Sequence, residues 1–238
     1  MRHRVAWAIV VALSTAAALT VAPTASAATH ECDGLQICVP IAGPWVVVPT
    51  HGTPRKRVDY QLDCPRGYIV GGLDAELSTP AIDVSFAGSM GSPVNPGITT
   101  FRTAVFSATY VGLDTQAAAS IRPHVGCIPA SGGGGRVPTA SVAVFPPGRP
   151  STRRVRTVPL QPGASNVAMG CTSGERLIGA THAVGFYTQL PPGTSLVTAV
   201  RTRQVVRGTR ATVSVLAGKA VAGVRAVVQI DVVCAGGK

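Results

Sequence analysis

The chain has 238 residues, a formal charge of +11, and only 5% aromatic residues. So few rings supply no stacking platform of the kind that grips single-stranded nucleic acid, and little for a carbohydrate-binding surface. Of the 21 cations all but Lys56, Lys219 and Lys238 are arginine, whose planar fork suits phosphate and carboxylate better than an ammonium does.

In chain order, Met1-Arg-His-Arg4 precedes a mostly apolar run from Val5 to Ala22 and then Pro23-Thr-Ala-Ser-Ala27. A basic start, an apolar stretch and an Ala-x-Ala site make a secretory signal over 1–27, cleaved after Ala27. A retained anchor is the competing reading, since about 18 mostly apolar residues just span a bilayer. The small-residue site favours cleavage, so the mature form is expected to be secreted and extracellular, with no membrane span. Loss of Arg2 and Arg4 with the signal leaves 19 Lys and Arg against 10 Asp and Glu, a formal charge of +9.

Residues 28–50 read as an amino-terminal cap containing Cys32 and Cys38. A first repeat is expected over 51–130. It opens on a basic knot, Pro54-Arg55-Lys56-Arg57-Val58, and Val58, Tyr60 and Leu62 then alternate with Asp59, Gln61 and Asp63 up to Cys64. Ile82, Val84 and Phe86 alternate likewise, and Ala119, Ile121, Pro123, Val125 and Cys127 share one side of a last strand. Pro123 lacks an N–H, which predicts an edge or a bulge there. Ser131 and the glycines that follow it open a Gly-rich linker over 131–140, expected to behave as flexible coil. The second repeat, 141–238, carries its own knot at Arg153 and Arg154, with about ten extra residues within 156–170 expected on a loop. Ala211, Val213 and Val215 alternate with Thr212 and Ser214, and Val224, Ala226, Val228, Ile230, Val232 and Cys234 share one face of a final strand. Alternation with period two and Gly/Pro punctuation predict antiparallel sheets with one wet face. The expected fold class is all-β, two tandem disulfide-stapled antiparallel β-sandwich domains.

The six cysteines all follow the signal, so an oxidising compartment makes disulfides the expected state. Six cysteines allow fifteen pairings. Cys64 to Cys127 and Cys171 to Cys234 share one spacing, 63 positions, which argues for one long bridge per repeat and leaves Cys32–Cys38 as a small loop. A metal site is the competitor, but neither a Cys-x-x-Cys pair nor a His cluster is present to complete four ligands.

Constellations for catalysis are weak. Ser89 in Ala87-Gly-Ser-Met-Gly91 lacks the first glycine of a nucleophile elbow. Asp74 and Glu76 would share a strand face, which suits a two-carboxylate site but also a solvated edge. His182, ahead of Phe186-Tyr187, belongs to no recognisable motif. No catalytic residue, cofactor or metal ligand is assigned. The paired knots, Arg55, Lys56, Arg57, Arg153 and Arg154, are the candidate anion-binding residues, since two weak sites on one chain gain from effective concentration.

The cap from Cys32 to Trp45, the Cys64-Pro-Arg-Gly67 segment running to Gly72, and Ala81-Ile-Asp-Val-Ser-Phe86 running to Gly97 resemble a group of actinobacterial secreted proteins of unassigned function with paired Cys-Pro-x-Gly repeats. Thr172 stands in the second repeat where the first has Pro65. The resemblance implies export and two disulfide-bearing repeats and supplies no catalytic residue. The expectation is a secreted, non-enzymatic binding or structural protein engaging an anionic cell-surface polymer or an extracellular protein, not nucleic acid, with oligomeric state left open. The alternative is a secreted hydrolase or hydrolase inhibitor, with loop 91–97 as the inhibitor's candidate contact.

Overall fold

The computed structural model describes residues 29–87, 102–113, 118–130 and 151–236. The expected signal, Ser89, the 91–97 loop and the Gly-rich linker lie outside them. Thirteen strands are described: β1 Val39–Ala42, β2 Trp45–Val48, β3 Val58–Asp63, β4 Tyr68–Leu77, β5 Ile82–Ala87, β6 Thr103–Tyr110, β7 Ala119–Pro129, β8 Ser151–Leu160, β9 Gly163–Gly170, β10 Glu175–Phe186, β11 Val200–Arg207, β12 Arg210–Ala217 and β13 Ala226–Gly236. One short helix, α1 Thr194–Thr198, precedes β11. The pairs are antiparallel throughout.

The two halves have the same strand order. In the first, β3-β6-β5 form a three-stranded sheet and β4 pairs with β7; in the second, β9-β12-β11 form a three-stranded sheet and β10 pairs with β13. Register breaks fall at matching places as well, between Val70 and Gly72 in β4 and between Leu177 and Gly179 in β10. All three expected disulfides are present, Cys32–Cys38, Cys64–Cys127 and Cys171–Cys234.

Separate tandem sandwiches are not what the sheets form. One seven-stranded sheet, in the order β1-β7-β2-β10-β13-β8 with β4 also on β7, runs through both halves. The joint is β2: Val46 pairs with Ile121 of β7 on one edge and with Gly185 of β10 on the other. The sequence of β2 suits this place. Trp45-Val-Val-Val48 is apolar on both faces, as a strand buried from both sides requires, and Val46 and Val48 enter the first core cluster while Val47 packs on the second.

Side-chain alternation then fixes where the outer sheets lie. Val125 and Cys127 of β7, Val46 and Val48 of β2 and Ala183 of β10 meet Tyr60, Phe106 and Ile82 of the β3-β6-β5 sheet. Phe186 of β10 and Val228, Ile230 and Val232 of β13 meet Val167, Val213 and Val215 of the β9-β12-β11 sheet. Ala183 and Phe186 lie an odd number of residues apart on one strand, so the two outer sheets cover opposite faces of the shared one.

Two local expectations are corrected. Pro123 sits at neither an edge nor a bulge: it pairs with Ala75 of β4, and on its other side the neighbouring strand is interrupted between β1 and β2. That interruption is Gly43-Pro44, where a Cβ on Gly43 would meet Pro123 Cγ at 2.7 Å; no ladder bond has to come from the missing N–H. The extra residues of 156–170, expected on a loop, are strand, completing β8 and making β9.

Candidate binding cleft at the seam

The first half docks on the second through β3. The backbone N–H of Gln61 donates to Gln229 Oε1 at 2.6 Å, and Gln229 Nε2 donates back to the Gln61 carbonyl at 3.0 Å and to Thr157 Oγ1 at 2.9 Å. A primary amide carries donor and acceptor side by side, so the Gln229 side chain takes the place of a neighbouring strand. Beside it, Asp59 and Asp231 are buried, each side chain 3% exposed. Arg57 Nε lies 3.0 Å from Asp59 Oδ1, Ser107 Oγ donates to that same oxygen at 2.7 Å, and Arg153 pairs with Asp231 while lying 4.0 Å from Asp59 Oδ2. Burial, reinforced by the charge of Asp59 and opposed by Arg153, pushes the Asp231 carboxyl up to about 6.

The candidate anion-binding residues are therefore divided. Arg57 and Arg153, from the two knots, converge, but on buried carboxylates of the protein itself. Arg154 holds Glu175 bidentately at 2.6 and 2.9 Å, which draws the Glu175 carboxyl down to about 2. Arg55 stacks over the Tyr110 ring at 4.8 Å. Lys56 has no salt bridge among the described residues and lines a cleft of about 600 Å3 with Arg57.

That cleft opens where β10 parts from β2. The two strands pair only at Gly185 and Phe186, so among the described residues the β10 edge from Ala180 to Val184 has no strand paired with it on that side. Val47, Val184, Val197 and Val200 give the cleft an apolar lining, and His182, Thr202 and Gln204 a polar one. Gln204 Nε2 donates to the Ala180 carbonyl at 2.9 Å, which turns its Oε1 toward His182 Nδ1 at 2.8 Å. Nδ1 then carries the proton, and His182 Nε2 accepts from the Thr202 hydroxyl, also at 2.8 Å. Burial lowers the His182 pKa, Gln204 opposes that and Lys56 adds to it, so the ring is neutral in this network. The sequence singles out His182 but neither Thr202 nor Gln204. Their signal was legible: both occupy inward-facing positions of β11 between Val200 and Val206, where alternation calls for apolar side chains.

Asp74 and Glu76 do not converge with His182. They pair across the ladder with His124 and Arg122 at the β4 side of the shared sheet, with β7 and β2 between them and β10. Their face is covered by the cap: His124 Nε2 lies 2.9 Å from Glu76 Oε1, its Nδ1 3.6 Å from buried Glu31, and the His30 backbone N–H donates to Asp74 at 2.8 Å. Glycines make this docking possible. A Cβ on Gly72 or Gly126 would collide with the Glu31 carbonyl.

Among the described residues one group of potential metal ligands clusters, Cys171, Glu175 and Cys234, but both sulfurs are spent in a disulfide, which leaves no thiolate to donate. No helix is long and apolar enough to cross a membrane among the described residues. No family model, curated protein or solved structure matches the chain.

Proposed function

We propose that the chain is an exported, non-enzymatic binding protein, a duplicated β-sandwich whose seam holds the ligand site, and that the ligand of the cleft has an apolar body and one anionic head. The observation that carries this reading is the cleft itself. Its volume of about 600 Å3 falls within the range of small-ligand sites. Its wall of valines offers burial to an apolar body, while Lys56 lines it as a cation that no carboxylate of the protein neutralises among the described residues. An extracellular protein presenting such a group, such as an acidic side chain beside an apolar one, satisfies the same chemistry.

A suitable probe is 1-anilinonaphthalene-8-sulfonate, which joins an apolar ring system to one sulfonate. Saturable one-to-one fluorescence enhancement is expected, weakened several-fold in K56Q and abolished in V197W, which fills the cleft from α1. Enhancement that does not saturate, or that V197W leaves intact, contradicts the reading.

Acyl hydrolysis is the second reading, favoured by one arrangement: a hydroxyl on a neutral imidazole whose other nitrogen is held by an amide. Thr202 Oγ would attack an ester carbonyl and pass its proton to His182 Nε2, which would return it to the leaving alcohol; water would then release the acyl group. Covalent labelling of Thr202 by a fluorophosphonate, lost in H182Q, would favour this reading over binding. An unlabelled Thr202 removes it.

A further inference from the structure

The two outer sheets differ sharply in charge. Strands β9, β11 and β12 carry four arginines, Arg201, Arg203, Arg207 and Arg210, and no Asp or Glu; the stretch from Arg176 to Ile230 has no carboxylate at all. Pairing puts the four on one face. Val213 and Val215 of β12 point into the core, so the alternate positions point outward, and these are opposite Arg201, Arg203 and Val205, with Arg207 directly opposite Arg210. All four arginines are exposed, and none has a salt bridge or side-chain hydrogen bond among the described residues.

This face is costly as it stands. Like charges directly opposite each other in a ladder destabilise it, and Arg207 and Arg210 do so across a two-residue hairpin with Gly208 at φ +57°. Charged side chains on an edge strand such as β11 also discourage sheet-to-sheet aggregation. That role asks for one or two charges along an edge; it does not ask for Arg210 on the central strand, nor for guanidinium groups with every acid withheld. Arg201 and Arg203 stand about 7 Å apart along β11, and the row from Arg201 to Arg207 extends about 20 Å.

We propose that the outer face of the β9-β12-β11 sheet is a docking surface for a linear phosphate-bearing polymer, held by Arg201, Arg203, Arg207 and Arg210. Guanidinium forks bind phosphate oxygens in pairs of parallel hydrogen bonds, and successive phosphates on an extended chain can meet successive arginines along the strand. The surface is separate from the cleft, and neither depends on the other.

Inorganic polyphosphate is the probe, titrated into the full-length mature protein by fluorescence anisotropy at several salt concentrations. R201Q/R203Q is expected to weaken binding at least about tenfold near physiological salt and to flatten the dependence of log affinity on log salt, because fewer counterions are released. K219Q, which removes a cation elsewhere, is expected to bind like the parent. Thermal melting checks the fold, and the neutralised variants should melt no lower, since like-charge repulsion is relieved. Unchanged affinity in R201Q/R203Q/R207Q/R210Q overturns the proposal, as does aggregation of that variant with affinity retained, which would assign the arginines to edge protection. Equally tight binding of poly-L-glutamate of the same length overturns the phosphate assignment. Sedimentation that shows the arginines joining two copies, through Asp63 and Asp83 on the opposite outer sheet, overturns the polymer as occupant.

Discussion

His124 and Asp231 hold the same ladder position in the two halves, three residues before Cys127 and Cys234 respectively, and both are buried polar side chains. His124 meets Glu31 of the cap, while Asp231 meets Arg153 and, through it, Asp59 of the other half. The same place in two similar halves thus serves two different contacts, one closing the cap over the first half and one closing the seam. What differs is the partner each half presents, and the sequence around each site records it.

Gly126 is the clearest record. It lies beneath Glu31, whereas Val233 holds the same ladder place in the second half and packs 3.7 Å from where a Gly179 Cβ would lie. Replacing Gly126 with Val should dislodge the cap without unfolding the shared sheet. Limited proteolysis checks this: new cleavage near residues 29–38 is expected in G126V, with strands β10 and β13 as resistant as in the parent.

Asp231 makes folding respond to pH in a direction opposite to that of most carboxylates. Its folded pKa, about 6, lies above the ordinary 3.8, so the folded state holds the proton more tightly. The favourable contribution is full below about pH 4 and is lost as pH rises through about 6. The stability of the parent relative to D231N should therefore fall between pH 4 and pH 7. Denaturant melts at both ends of that interval measure it, and a relative stability that rises with pH contradicts the assignment.

Glu175 supplies the opposite sign. Its folded pKa, about 2, lies below the ordinary 4.5 because Arg154 favours its charged form. The advantage of the parent over E175Q should be present above about pH 4.5 and disappear as pH falls through about 2. The same melts extended into acid check it.

Each long disulfide closes a loop of 63 residues, and chain-entropy arithmetic gives about 4 kcal/mol apiece. C64S/C127S and C171S/C234S should each lower the stability of the folded chain by an amount of that order. Because one sheet runs through both halves, either pair of substitutions should shift the unfolding of the whole described structure and not of its own half alone.

Much of this was legible in advance. Period-two alternation located β3, β5, β12 and the body of β13, and equal cysteine spacing selected the disulfides from fifteen combinations. The shared sheet was not legible, because pairing between distant strands leaves no local pattern; its one trace was the two-sided apolar run of β2. The placement of Pro123 failed for the same reason, since the rule against interior proline holds only when the neighbouring strand is continuous. The basic knots were visible as charge, but charge in sequence does not reveal that Arg57, Arg153 and Arg154 spend theirs on Asp59, Asp231 and Glu175.

The central claim is that β2 joins both halves into one sheet, which creates the seam and its cleft. Hydrogen exchange at Val46, compared with Ile121 of β7 and Val228 of β13, tests it most directly. The account predicts that the Val46 region is protected to the same extent as both cores, within a single cooperative unfolding transition. Rapid exchange at Val46, with the two halves unfolding in separate transitions, would contradict it.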